Sequence, residues 1–206
     1  MSHDSSGSTA SRLLDLAQAG DGASLEALLH SYLGYLSVLL QSQWDPRLQP
    51  RVTTSDVIQE TLFEAHRDFA HFSGTSTQEF TGWIRKILIH NVARAVETHL
   101  LAAKRDVRRE QVLEQLDRSW EQSQLRLAAL LADQRRSPAS EAEHQEALVQ
   151  MAGAIESLPD DYREVIVLRH LEGLPFPTVA ARLQRSPGAT RMLWLRAIER
   201  LRELME

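Results

Sequence analysis

No cysteine occurs in the 206 residues. That absence excludes a disulfide framework, a thiolate metal centre and a cysteine nucleophile. Long apolar runs are scarce as well. None approaches the roughly 18 residues that a membrane-spanning helix needs, so no membrane insertion is expected. The opening stretch MSHDSSGSTAS is polar and lacks the charged-then-apolar layout of a secretory signal. A cytoplasmic location is the expectation that follows. No segment alternates apolar and polar residues long enough to compete as a strand. The eight histidines form no HExxH, and His66 and His71 are five apart, which does not stack them on one helix face. No metal and no cofactor is therefore expected.

What is present reads as helix. A hydrophobic content of 43% and a charged content of 25% are ordinary for a globular protein. The stretch from Ser11 to Leu40 places Leu13, Leu16 and Ala17 on one apolar stripe. Leu25, Leu28, Leu29, Tyr32 and Leu36 form another, with Gly20-Asp21-Gly22 breaking the two and Ser24 as a cap. Two prolines make WDPRLQPRV a connector. In DVIQETLFEAHRDFAHF, Val57, Ile58, Leu62, Ala65 and Phe69 recur at helical spacing, and Ser55 is the expected N-cap. After the loop SGTSTQ the longest helix turns Phe80, Trp83, Ile84, Ile87, Leu88 and Val92 inward. The fold class is all-α, in two small helical domains.

Residues 10–109 form the first domain and 144–206 the second. Residues 110–143 are polar, with SQLRLAALLAD their only short helical pattern, and read as a linker. In the second domain Pro159 suits a helix start and Gly173 a left-handed helix end, with Leu174 packing back. In TVAARLQRSPGATRMLWLRAIERL, Pro187-Gly188 cannot sit inside one long helix. The stretch is read as helix, turn, helix, with Val179, Ala180 and Leu183 inward, then Leu193, Trp194, Ala197, Leu201 and Leu204.

Net charge is −5 at pH 7, an argument against a general nucleic-acid binder, yet the basic residues are gathered in two islands. One holds Arg85, Lys86, Arg94, Lys104, Arg105, Arg108 and Arg109. The other holds Arg182, Arg185, Arg191, Arg196, Arg200 and Arg202, with Glu199 the lone acid among them. On the last helix Arg191, Met192, Leu195, Arg196 and Arg202 remain for an outer face, which suits a recognition helix in a major groove. A helical hairpin with a solvated basic face is the alternative. In the first island Phe72, Phe80 and Trp83 lie beside Arg85, Lys86, His90 and Asn91, the mix of stacking surfaces and cations that single-stranded nucleic acid requires. Phe80 and Trp83 as plain core is the competing account. Asp56, Gln59 and Glu60 share a helix surface with no nucleophile or base partner in view. A solvated face or a docking face fits them better than a catalytic pair, so no catalytic residue and no enzyme is expected.

These stretches, in this order, resemble the extracytoplasmic-function (ECF) sigma factors of bacterial RNA polymerase. SDVIQETLFEAHRDF resembles the start of that family's second conserved region and FTGWIRKILIHNVARAV the helix that follows. LPDDYREVIVLRHLEGLPFPTVAARLQRSPGATRMLWLRAIERLREL resembles its promoter-reading fourth region. The wording of DPRLQPRVTTSDVIQET and RSPGATRMLWLRAIERL is nearest to a planctomycete-like branch. The resemblance implies that Asp56, Gln59 and Glu60 dock on the polymerase clamp. It implies minus-ten DNA contacts at Phe72, Trp83, Arg85, Lys86, His90, Asn91, Lys104 and Arg105. Ser186, Ala189, Arg191, Met192, Leu195 and Arg196 are the implied minus-thirty-five contacts. The implied partners are core RNA polymerase through its clamp and flap, promoter DNA, and an anti-sigma factor. The chain departs from the family pattern at His90 and Arg94, where Asn and Asp are usual, with an Asn displaced to 91. Pro175 replaces a capping Ser, which predicts a weaker cap, and Met192 and Leu195 favour contact with thymine methyls. Two rivals share these residues: a helix-turn-helix regulator that acts without joining polymerase, and a helical enzyme using Asp56 and Glu60 as acid and base.

Overall fold

The computed structural model describes residues 9–100, 107–134 and 141–205. Among the described residues there are ten α-helices and no strand, so the all-α expectation holds. In chain order they are α1 (Thr9–Gln18), α2 (Gly22–Ser31), α3 (Leu33–Gln41), α4 (Thr54–Asp68), α5 (Thr77–Leu100), α6 (Val107–Gln134), α7 (Glu141–Glu156), α8 (Asp160–Ile166), α9 (Phe176–Arg182) and α10 (Pro187–Met205).

Local chemistry sets the breaks. Gly20 takes a left-handed φ of 96° after α1. Asp21 then caps α2 by accepting from the Ser24 backbone N–H at 3.1 Å, so Ser24 is the donor and not the cap. In α1 it is Ala10, Leu14 and Ala17 that are buried, while Leu16 is 47% exposed. Residues 22–41 form the most apolar stretch, with a mean hydropathy of 1.2 over a length able to span a membrane. The stretch is interrupted at Tyr32 and lies largely inside the fold, so it acts as core. Before α4, Thr53 rather than Ser55 is the cap. Its backbone is extended and its hydroxyl accepts from Asp56 N–H, while the Asp56 carboxylate accepts from Thr53 N–H, a reciprocal capping box. Ser55 already stands inside the helix.

The largest departure from the sequence reading is α6. Most of the segment expected as a linker is helix, and Trp120, Ser123, Leu127 and Leu130 on it are buried. These positions are spaced three, four and three apart, a stripe only two residues wide per heptad on an otherwise polar helix. Mean polarity concealed it. Ser123 joins both halves of the molecule: Gln43 donates to its hydroxyl at 3.1 Å, and the same hydroxyl reaches the Leu171 carbonyl at 3.5 Å. Arg126 donates to that carbonyl at 2.8 Å.

One buried apolar cluster therefore runs from Leu14, Leu36 and Leu39 through Met151, Ala152 and Ile155 to Leu168, Leu193 and Leu201. The two helical domains expected are present, and through α6 they share one core. Their closest approach is where α3 crosses α7: a Cβ placed on Gly34 would lie 2.6 Å from the Gly153 Cα and 3.0 Å from its nitrogen. A Cβ on Gly153 would meet nothing within 4 Å.

The second half continues from α8 into a π-helical turn, Val167–Leu171. Gly173 then takes the expected left-handed φ, 71°, and Leu174 donates back to the Leu168 carbonyl at 3.0 Å. Pro159 stands at the N-cap of α8, one place before its helical turns.

The crossing generates a prediction with a sign. Alanine exceeds glycine in a helix by about 1 kcal/mol, whereas overpacking costs about 1–3 kcal/mol. Gly34→Ala is expected to lower stability in chemical unfolding, and Gly153→Ala to leave it unchanged or raise it. Stabilisation by both substitutions would mean that α3 and α7 do not meet in solution.

Candidate nucleic-acid interface

The second half ends in two helices meeting at a turn. Val179 and Ala180 on α9 are buried, and Leu183 is half-buried. The turn is closed at Gln184, which adopts φ 53° without being glycine, and by Arg185 donating to the Ala180 carbonyl at 2.9 Å. Ser186 starts α10 by accepting from Ala189 N–H at 3.2 Å. Pro187 then occupies the first helical position, where its missing donor costs nothing. The turn thus spans residues 183–186, and Pro187-Gly188 opens the second helix instead of separating the two. Pro175 caps α9 with no side-chain bond, in line with the weaker cap expected there.

On α10, Thr190, Leu193, Ala197, Ile198 and Leu201 face inward. Leu204, expected among them, is 40% exposed, and Met205 packs on the core in its place. The outer face carries Ser186, Ala189, Arg191, Met192, Leu195 and Arg196, all exposed. Met192 and Leu195 are each 51% exposed, which a solitary folded domain gains nothing by. Three arginines of this island are engaged by carboxylates: Arg182 by Glu172, Arg185 by Asp161 and Arg200 by Glu203. Among the described residues no carboxylate pairs with Arg191 or Arg196.

Beneath this face lies a chain of ring contacts that the sequence reading missed. The Arg191 guanidinium stands 5.6 Å from the centre of the Phe176 ring, and that of Arg169 stands 5.0 Å from it. Trp194 meets Phe176 edge-on at 5.7 Å, and its indole N–H donates to His170 Nε2 at 2.9 Å. Phe176 stands among prolines in PFP and carries no periodic signal, so only tertiary contact reveals it.

In the first half, Asp56, Gln59 and Glu60 are exposed together on α4. They are not equivalent. Asp56 accepts from Thr53 Oγ1 at 2.7 Å and Thr53 N–H at 2.9 Å, and these bonds hold its carboxyl below the usual range. Glu60 lies 3.9 Å from Arg94, which pairs more closely with Glu64 at 3.1 Å. Gln59 makes only a 3.4 Å bond to Ser55.

Phe69, Phe72, Phe80 and Trp83 form one aromatic group with ring centres 5.1–6.3 Å apart. Phe80 is its buried floor, whereas Phe72 and Trp83 are half-buried at the rim, so the core and stacking accounts divide by residue. Lys86 and His90 are exposed one and two turns beyond Trp83 on the same helix face. A groove of about 610 Å³ opens beside Phe69 and Phe72, lined also by Gln18, Asp21, His66 and Arg67.

Two expected contacts are not on this face. The Arg85 side chain, only 16% exposed, turns onto α6, hydrogen-bonding Gln124 and standing 3.9 Å from Asp117. Asn91 is buried and donates to Thr61 Oγ1 at 3.2 Å. Each lies about a quarter of a turn away from the Trp83–Lys86–His90 stripe, which is why one linear motif does not put all of them on one surface. Lys104 and Arg105 lie outside the described residues.

Residues 148–201 match the family described as Sigma-70, region 4. The ECF RNA polymerase sigma-E factor of Haemophilus influenzae is 26% identical over 187 residues, covering 91% of this chain and 90% of the relative. Over nearly its whole length the chain is thus similar to an ECF-type sigma factor, and its last third carries the region 4 match. A solved structure titled as an RsbN–BldN complex aligns over 93% of this chain and 98% of that one, at 19% identity and a TM-score of 0.30, too slight a likeness to bear on the arrangement described above. The region 4 match takes in the second half of α7, so the helix that crosses α3 belongs to both the matched domain and the seam between halves.

The capping role of Asp56 gives a second prediction. Removing the Thr53 hydroxyl with Thr53→Ala is expected to cost about 1 kcal/mol in thermal unfolding. A carboxyl held low in the fold contributes stability above the usual aspartate range and loses it as pH falls. The stability gap between wild type and Asp56→Asn should therefore narrow on acidification. A gap independent of pH would mean that the cap does not use the charge.

Proposed function

We propose that this sigma factor joins core RNA polymerase through the α4 face, reads the minus-thirty-five element with α10, and opens the minus-ten element with the rim of the aromatic group. The observation that carries the reading is the outer face of α10: two arginines without carboxylate partners and two exposed apolar side chains, in a stretch that matches sigma region 4. Arginine offers a planar fork to guanine edges and phosphates, and Met192 and Leu195 offer contact to thymine methyls.

Residues 10–109 act as the region 2-like part. Asp56, Gln59 and Glu60 dock on the clamp, and the flap takes the region 4 part. Phe72, Trp83, Lys86 and His90 meet the melted strand, and the groove beside Phe72 takes an unstacked base, at an unpairing cost of about a few kcal/mol. Arg191, Met192, Leu195 and Arg196, with Ser186 and Ala189, face the upstream major groove. The wording of the first domain and of the last two helices supports a planctomycete-like branch, and an anti-sigma factor is a partner of the chemistry expected for such a chain.

The closed arrangement bears on how this works. Contact with two promoter elements at once requires the halves to separate, and α6 with the α3–α7 crossing opposes that. Binding to polymerase supplies the differential affinity that favours the open form, since a ligand shifts an equilibrium only by what it gains in one state over the other. Alone, the chain makes few phosphate contacts, each adding a salt-dependence slope of only about 0.9.

The test is co-purification with core polymerase followed by run-off transcription from a library of upstream sequences. Gln59→Ala with Glu60→Ala is expected to abolish co-purification while leaving the melting temperature within about 2–4 °C. Asp56 is avoided because its loss also removes a cap. Arg191→Ala with Arg196→Ala should leave core binding intact and remove dependence on the minus-thirty-five sequence. Tight promoter-specific binding by the chain without polymerase would overturn the proposal in favour of an independent helix-turn-helix regulator.

A further inference from the structure

We infer that Phe176 is a positioning residue for promoter reading: its ring is the platform that aims Arg191 at the upstream element. The inference rests on α10 facing that element, as proposed above. An arginine on a helix surface has four rotatable side-chain bonds, and ordering them on DNA is a cost that a preset orientation reduces. Arg191 is exposed with no carboxylate partner among the described residues, and its guanidinium stands 5.6 Å from the Phe176 ring centre. That separation lies within the range over which a ring face attracts a cation. Attraction of this kind holds the fork without consuming its donors, which stay available for a base or phosphate.

The platform is itself fixed. Pro175 and Pro177 flank Phe176 and set φ on both sides of it, so the ring is carried on a stiff peptide at the start of α9. Trp194 braces the ring edge-on at 5.7 Å, and His170 holds Trp194 through the 2.9 Å indole bond. Arg169 donates to the Leu174 carbonyl at 3.1 Å and shares the same ring, so the π-helical turn, α9 and α10 converge there. Arg196, lying on α10 away from this ring, has no such support and serves as the internal contrast.

The experiment uses holoenzyme reconstituted from core polymerase and the full chain. Its probes are a duplex selected from a randomised upstream library by wild-type holoenzyme, and the same duplex with the minus-thirty-five element scrambled. Phe176→Leu is expected to lower the affinity ratio between the two duplexes by about five-fold. Phe176→Tyr should keep the ratio, since it keeps the ring. On an Arg191→Ala background Phe176→Leu should add nothing, because the pair acts as a unit. A Phe176→Leu loss of equal size on the scrambled duplex, or on the Arg191→Ala background, would show a ring that only supports the fold and would overturn the inference. No loss from Phe176→Leu where Arg191→Ala does lose discrimination would overturn it as well, while leaving the placement of α10 on DNA standing. If Arg191→Ala itself leaves the ratio unchanged, that placement fails and the platform with it.

Discussion

The contact between Gly34 and Gly153 sets the arrangement of everything else. Two helix backbones approach so closely there that neither a side chain on α3 nor a displaced α7 is accommodated. Because α7 leads directly into the region 4 helices, its place against α3 determines where the whole helix-turn-helix stands relative to α5. Helix α6 then closes the gap, with Trp120 buried and Ser123 hydrogen-bonded to both sides. One crossing of small residues thereby turns two halves into a single core.

The seam is not built like the interior of either half. Gln41 meets Glu156 across it, Ser42 and Gln43 meet Ser123, and Ser119 meets Gln43. Several buried polar atoms on the elements that form it, Tyr35 Oη, Arg85 Nε, Trp120 Nε1 and Gln145 Oε1, have no hydrogen-bond partner among the described residues. Each such atom costs about 1–3 kcal/mol. Contacts between domains that part are more polar than permanent ones, and this seam has that character. Buried polar contacts within the first half, Tyr32 with Thr81 and Asn91 with Thr61, stay inside that half and do not cross the seam.

Much of this was legible in the residues. The all-α class followed from helical periodicity and the absence of alternation. The inward faces of α4, α5 and α10 were visible because their apolar positions recur with a wide stripe. The outer face of α10 followed by subtraction. Helix α6 was not legible, because a stripe of Trp120, Ser123, Leu127 and Leu130 is narrow, includes a serine, and lies in a run of Gln, Glu and Arg. Caps shifted by two or three residues, from Ser55 to Thr53 and from Ser24 to Asp21, because several adjacent side chains had the right chemistry and only backbone angle chooses among them. Arg85 and Asn91 were misplaced for a different reason. Their residue types fit a DNA surface, but the helical phase that separates them from Trp83 and His90 turns one toward α6 and the other into the core.

Arg85 shows how the two kinds of basic residue in this chain differ. Its guanidinium is held by Gln124 and faces Asp117 on α6, a helix on which carboxylates outnumber cations from Glu110 to Asp133. The arginines of the turn and of the end of α10 are likewise held by Glu172, Asp161 and Glu203. At a net charge of −5, four arginines of the two basic islands, Arg85, Arg182, Arg185 and Arg200, thus have an internal carboxylate nearby. Those left over, Arg191 and Arg196 in region 4 and Lys86 beside Trp83, coincide with the positions where sequence discrimination and strand capture are proposed. On the DNA-binding role proposed above, general affinity scales with the number of unpaired cations. Separating the halves would release Arg85 from Asp117, so on that proposal opening adds a cation for DNA as well as freeing the geometry.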